Sequence, residues 1–346
     1  MKRLFLLITI LLLLAQPVSA MEYTAPEAPA QAQEYLSDEP QSFGEGLLYI
    51  LKEAVSNFQP AVLEAAKVCV SLIGISLLLS LLQTIPGADT TVSSLVGTVT
   101  VATVLFQSAN ALIRLGSETV TQLSEYGKLL LPVMTAAVAA QGGTTTSAAL
   151  YTGTAMFDAI LCHVVSAFIV PMLYVYLCLC TAGSAISENA LNKLRDFIKW
   201  IMTWSLKLIL YIFTGYISIT GVISGTADAS AVKAAKLAIS GVVPVVGSIL
   251  SDASETVLVS AGLMKNSVGV YGLLAIISIW IGPFIQTGVQ YLMLKVTAAV
   301  CGVFTTKQPT KLIQDFSGAM GMILAMTGTV CLILLISIVC FMKGVG

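Results

Sequence analysis

An ionisable side chain inside a long apolar run is costly to place in hydrocarbon, so the few such residues in this chain are the first places to look for chemistry. Asp158 and His163 stand within the apolar stretch 150–182. Five residues separate them, about 140° around an α-helix, so they do not address one shared site. Cys162, four residues from Asp158, shares its face. Two roles fit this pair: a proton relay or ion site completed by other helices, or a hydrogen-bonded packing group beside a water-filled vestibule. Lys207 and Lys295 are expected to snorkel toward an interface. Gln107, Asn110, Gln286 and Gln290 either bond between helices or line a passage. Gln286 and Gln290, one turn apart on one face just after Pro283, are the better candidates for lining a pore.

Other chemistry is missing from the sequence. There is no zinc helix of the His-Glu-x-x-His type, no Gly-x-Ser-x-Gly elbow and no phosphate-binding Gly-x-x-x-x-Gly-Lys loop, and the chain holds one histidine. Its seven cysteines sit in or at the edge of apolar runs, and Cys178 and Cys180 lack the spacing of a metal or redox pair. Catalysis, a bound cofactor and a metal site are therefore not expected. A net charge of −1 with only 10% charged residues gives no reason to expect nucleic acid as a partner.

The elements that must position these residues follow from composition. With 57% hydrophobic residues and a mean hydropathy of +0.92, the chain has too little polar surface to cover a water-soluble globule. Lipid must solvate part of it, and the fold expected is all-α and polytopic. Lys2 and Arg3, the apolar run Leu4 to Leu14 and the small residues Val18-Ser19-Ala20 predict a signal peptide over 1–20. Residues 21–45 carry six acidic residues and no basic one, and read as a disordered extracytoplasmic lead-in. Leu47, Leu48, Leu51, Val55 and Phe58 then recur at helical spacing, predicting an amphipathic helix over 46–60 at the membrane interface. Mostly apolar runs at 61–83, 93–113, 150–182, 198–224, 268–303 and 318–342 predict six spans, two of them within 61–127. Glu64 and Lys67, in the opening turns of the first, must sit at the interface or pair with each other.

Two shorter apolar pieces, 129–140 and 237–250, contain Pro132 and Pro244 and run into polar tips, so they are expected to be re-entrant. Pro171 and Pro283 lie inside the longer runs, where kinked or broken helices are expected. Pro132 to Pro171 and Pro244 to Pro283 have the same separation of 39 residues. Lys193-Leu194-Arg195-Asp196-Phe197 is echoed by Lys311-Leu312-Ile313-Gln314-Asp315-Phe316. An internal duplication of 128–224 and 240–342 accounts for both. With residue 21 outside, the loops 184–197 and 304–317, carrying Lys193, Arg195, Lys307 and Lys311, fall inside, as insertion energetics favours.

The signal with its acidic lead-in, the stretch Lys128 through Pro132 to Thr135, the tip Gln141-Gly142-Gly143-Thr144, the segment Asn189 through Lys193 to Phe197, and Gly241-Val242-Val243-Pro244-Val245-Val246-Gly247 together resemble the stage III sporulation protein AE family. The likeness runs from the signal to Gly346. It implies a multi-span subunit of a channel complex joining mother cell and forespore, needed for late forespore gene expression. It also implies a mother-cell membrane location and the other subunits of that complex as partners, beside membrane lipid and a possible homo-oligomer. It implies no catalytic residues. The alternative is a secondary transporter moving a small solute by alternating access with Asp158 as its coupling site; a third reading is a scaffold that anchors soluble ring proteins.

Overall fold

Hydrocarbon offers no water to a backbone N–H or C=O, so an apolar run that crosses it closes its hydrogen bonds within itself as helix. A computed structural model describes residues 25–36, 42–83, 90–186, 189–242, 247–304 and 307–343, with the side chains of 31, 90–91, 186, 189 and 221–265 excepted. The elements are α1 (Ala30–Gln33), α2 (Phe43–Ser56), α3 (Phe58–Gln83), α4 (Thr90–Ala140), α5 (Thr144–Val164), a π turn (Val165–Ile169), α6 (Val170–Ile186), α7 (Asn189–Val242), α8 (Gly247–Phe304) and α9 (Lys307–Lys343). No strand occurs among the described residues. Among the described residues, six helical segments are long and apolar enough to cross a membrane: Phe43–Gln83, Val92–Ala140, Thr144–Ala185, Ala190–Thr220, Asn266–Phe304 and Lys307–Lys343. The protein is an all-α, multi-pass membrane protein.

The centre of the bundle is α9, apolar on every side and buried along its length from Leu312 and Phe316 through Met326 to Phe341. The Phe106 ring meets Phe316 edge-on at 5.2 Å, Gly116 of α4 faces Ile323, and Gly127 faces Leu334, so α4 runs parallel to α9. On the other side Ser317 Oγ donates to the Tyr291 carbonyl at 3.1 Å and Trp280 Nε1 donates to Thr327 Oγ1 at 3.4 Å, which makes α8 antiparallel to it. Glycine is required at these approaches. A methyl on Gly116 would lie 2.5 Å from Ile323 Cγ2, and one on Gly153 of α5 would lie 2.0 Å from the Tyr216 ring of α7.

Several sequence expectations change. Residues 129–140 are not an element of their own: they are the last turns of α4, which continues through Pro132. Leu130, Leu131 and Met134 are buried on either side of that proline, and their packing outweighs its lost hydrogen bond. The chain reverses at 141–143, where Gly142 takes φ 91°, a left-handed conformation that favours glycine. The corresponding tip of the second copy, 251–254, is helical within α8, which also continues through Pro283. Residues 237–250 are split between the end of α7 and the start of α8. Pro244 and the signal segment 1–20 lie outside the described residues.

Pro171 does leave a mark. Just before it the helix widens, with the Val170 N–H donating to the Val165 carbonyl five residues back, which makes room for the proline ring. The segment 21–45 is not disordered throughout, because Ala28 and Ala32 are buried against the bundle and Asn57 Nδ2 donates to Glu34 Oε1 at 3.3 Å and to the Tyr35 hydroxyl at 3.4 Å. The amphipathic helix forms as α2, with Ser42 Oγ accepting from the Glu45 N–H. Its Ile50 and Ala54 pack on Leu274 and Ile281 of α8, while Leu48, Leu51 and Val55 remain exposed. The basic residues Lys193, Arg195, Lys307 and Lys311 stand in the first turns of α7 and α9 rather than in loops.

Candidate functional site

Two polar regions interrupt the apolar bundle, and α4 borders the larger. Between α3, α4 and α8 lies a cleft of about 980 Å³. From α3 it takes Glu64, Lys67 and Ser71; from α4, Gln107, Asn110, Arg114 and Glu118; from α8, Gln286 and Gln290. Gln107, Arg114 and Glu118 recur seven and four residues apart, which at 100° per residue keeps them within about 20° of one line along α4. The cleft thus has a polar stripe on one wall and the one-turn glutamine pair on another. Beyond its lining residues Ser71 and Val104, Leu72 of α3 and Val101, Ala102 and Leu105 of α4 are buried.

The charged lining groups are unpaired. No ion pair within 4 Å joins Glu64, Lys67, Arg114 or Glu118 to any partner among the described residues. Of the two placements expected for Glu64 and Lys67, pairing with each other does not occur among the described residues, and both line the cleft. Gln286 is exposed at the wall, whereas Gln290 is 4% exposed and its Nε2 finds no hydrogen-bond partner. Asn110 Oδ1 accepts from the Tyr174 hydroxyl of α6 at 2.7 Å.

Asp158 belongs to a separate layer, 4% exposed, where α5 meets α4. Ser124 Oγ donates to its Oδ2 at 2.6 Å, and its Oδ1 has no partner. One turn back on α5, Thr154 Oγ1 donates to Ser337 Oγ of α9 at 2.8 Å. His163 lies elsewhere, exposed on α5. Lys295 rests its ammonium 4.7 Å from the centre of the Tyr291 ring. All seven cysteines are free thiols, and no cluster of three or more metal-ligating residues occurs among the described residues.

The second polar region joins the first turns of α7 and α9. Arg195 bonds Asp315 and, at 2.8 Å, Asp196; Lys311 Nζ donates to Asn192 Oδ1 at 2.7 Å; the Tyr176 hydroxyl of α6 donates to the Asp315 carbonyl at 3.1 Å. Arg195 is only 9% exposed. The two echoed segments, Lys193–Phe197 and Lys311–Phe316, therefore face each other. Beside this knot Phe197, Trp200 and Trp204 stack along an exposed face at 6.2 and 6.1 Å, one turn from Lys193, a pattern suited to a membrane–water boundary.

Sequence reasoning found Gln286 and Gln290 through their one-turn spacing, but did not single out Arg114 or Glu118. The 107–114–118 stripe was the available signal.

The family model for stage III sporulation protein AE matches residues 35–344. A curated relative from Bacillus subtilis (strain 168), stage III sporulation protein AE, is 23% identical over 255 residues. That alignment covers 72% of this chain and 64% of the relative, so the chain spans somewhat under two thirds of that protein's length. No solved structure matches. The match over nearly the whole chain places it: the protein belongs to the stage III sporulation protein AE family.

Proposed function

We propose that this protein is a non-enzymatic, multi-pass subunit of the channel complex between mother cell and forespore, needed for late forespore gene expression. In this reading it sits in the mother-cell membrane facing the forespore. The α3–α4–α8 cleft forms one wall of a passage that other subunits, or further copies of this chain, complete.

One observation carries the reading. Gln107 and Gln286 are exposed at the cleft on segments apolar enough to cross a membrane. Facing lipid, such groups would each cost on the order of a few kcal/mol; facing water or a partner they do not.

Single cysteines at Gln107 and Gln286, on a cysteine-free background, test this in sporulating cells. Both should react with a water-soluble thiol reagent, and Arg114→Glu should abolish late forespore gene expression while the protein still inserts. Unreactive cysteines together with normal sporulation of Arg114→Glu would overturn the reading.

A further inference from the structure

We propose that this chain assembles head to tail with further copies of itself. The exposed face of α7 on one copy seats against the polar face of α4 on the next, with Lys207 meeting Glu118 across the contact. The inference rests on the reading above for its starting point, that surfaces outside one chain complete the cleft.

Depth in the bundle carries the inference, and α9 serves as the ruler. On α4, Phe106 meets Phe316, Gly116 faces Ile323 and Met326, and Gly127 faces Leu334, which sets Glu118 about level with Met326. On α7, Arg195 bonds Asp315, and Tyr216 packs on Gly153 beside the Thr154–Ser337 bond, which sets Lys207 about level with Thr327. Both helices run in the direction of α9. Lys207 and Glu118 therefore stand at one depth, to within about one helical turn. That depth is interior: Lys207 is close to the middle of the apolar segment Ala190–Thr220, and its side chain is exposed. Against lipid an ammonium there is costly, and a flexible stem shortens the distance to the interface without removing it.

The rungs on either side match as well. By the same ruler Arg114 falls between the levels of Trp200 and Trp204, whose rings suit a guanidinium. Glu125 falls within about a turn of Tyr211, whose hydroxyl can donate to a carboxylate. At 100° per residue Arg114, Glu118 and Glu125 lie within about 40° of one line on α4, and Trp200, Trp204, Lys207 and Tyr211 within about 60° on α7. All seven side chains are exposed, and none of the four charged ones joins an ion pair among the described residues.

The occupant that fits this pattern is a second copy. Rotation about the membrane normal preserves both depth and direction, so a neighbouring copy brings its α7 parallel to α4 with the opposite charges already level. Lipid has no reason to match these levels. The contact uses two different faces, so it is heterologous and propagates from copy to copy, closing into a ring where the rotation allows.

Two differently tagged copies on a cysteine-free background, one with Lys207→Cys and the other with Glu118→Cys, would be produced in sporulating cells and treated with a short bismaleimide. A cross-linked product carrying both tags is expected, while either variant paired with itself gives none. Tyr211→Cys with Glu125→Cys serves as an independent second pair and keeps the test open where a first variant fails to accumulate. Measured at that second pair, Lys207→Glu and Glu118→Lys should each reduce the product about tenfold or more, and both changes in one chain should restore it. No product at either pair, products only between like positions, an unrelated protein in place of the second tag, or no restoration by the charge swap overturns the proposal. The cysteine at Gln107 separates the two failures. If it reacts with the aqueous reagent and no cross-link forms, this contact falls and the passage stands; if the cross-link forms and Gln107 stays unreactive, the passage reading alone falls.

Discussion

The cleft and the Arg195–Asp315 knot hold the same kinds of side chain and treat them in opposite ways. In the knot, arginine, aspartate, lysine, asparagine and tyrosine are bonded to one another, and they fasten α6, α7 and α9 at one end of the bundle. In the cleft, two carboxylates and two cations stand within reach of open space without an ion pair. Charges that satisfy one another hold helices; charges left unpaired are available to something that arrives from outside.

The sharpest way to break that contrast is to unpair the knot. Arg195→Ala leaves the part-buried Asp315 without its bonded cation and should cost about 2–3 kcal/mol, read as a drop in the detergent-solubilised protein's melting temperature. The double replacement Arg195→Leu with Asp315→Leu should recover most of that loss, since an apolar pair of similar bulk removes both desolvation penalties. If Arg195→Ala melts like the parent, the knot is not the fastening described.

Next in size is Gly153→Ala. The new methyl would meet a Tyr216 ring held by its hydroxyl bond to the Ala149 carbonyl at 3.0 Å, and a loss of about 1–3 kcal/mol is expected in the same melt. This affects neither polar region, so late forespore gene expression should fall only as far as protein level falls.

Arg114→Ala in the cleft should shift stability by less than about 0.5 kcal/mol, as for an exposed residue without a partner. Yet it should sharply reduce late forespore gene expression, and a variant equally stable and fully active would erase the distinction between the regions. Asp158→Asn is expected to have the smallest effect of all, because asparagine keeps an acceptor for Ser124 and removes a charge that only one hydroxyl donates to. Unchanged melting with normal sporulation fits a channel subunit. Unchanged melting with lost sporulation would favour the transporter that couples solute movement to a proton at Asp158.

Much of this was legible from the sequence where the physics is local. Apolar run length predicts the spans because hydrocarbon thickness and helix rise are fixed quantities, and the spacing of Gln286 and Gln290 predicts a shared face. Pro132 misled for a tertiary reason. The cost of a proline is local, but whether a helix breaks depends on what packs beside it, such as Leu130 and Met134 around this one. Glu64 and Lys67 three residues apart look like an ion pair on an isolated helix; which direction they face is decided by α4 and α8, far away in sequence. The Arg195–Asp315 contact joins residues 120 positions apart and left no local trace beyond the echoed motif.

The π turn at Val165–Ile169 sets the angular phase of everything after it. Asp158 and Tyr176 are 18 residues apart, five whole turns of an unbroken α-helix, and would then project along one line. One residue's worth of extra winding turns the second half by about 100° relative to the first. That rotation lets a single rod present a carboxylate to Ser124 on one flank and a phenol to the carbonyl of Asp315 on another. Seen this way, the widened turn works as a gearing step between the two ends of the rod, so that each engages a different neighbour.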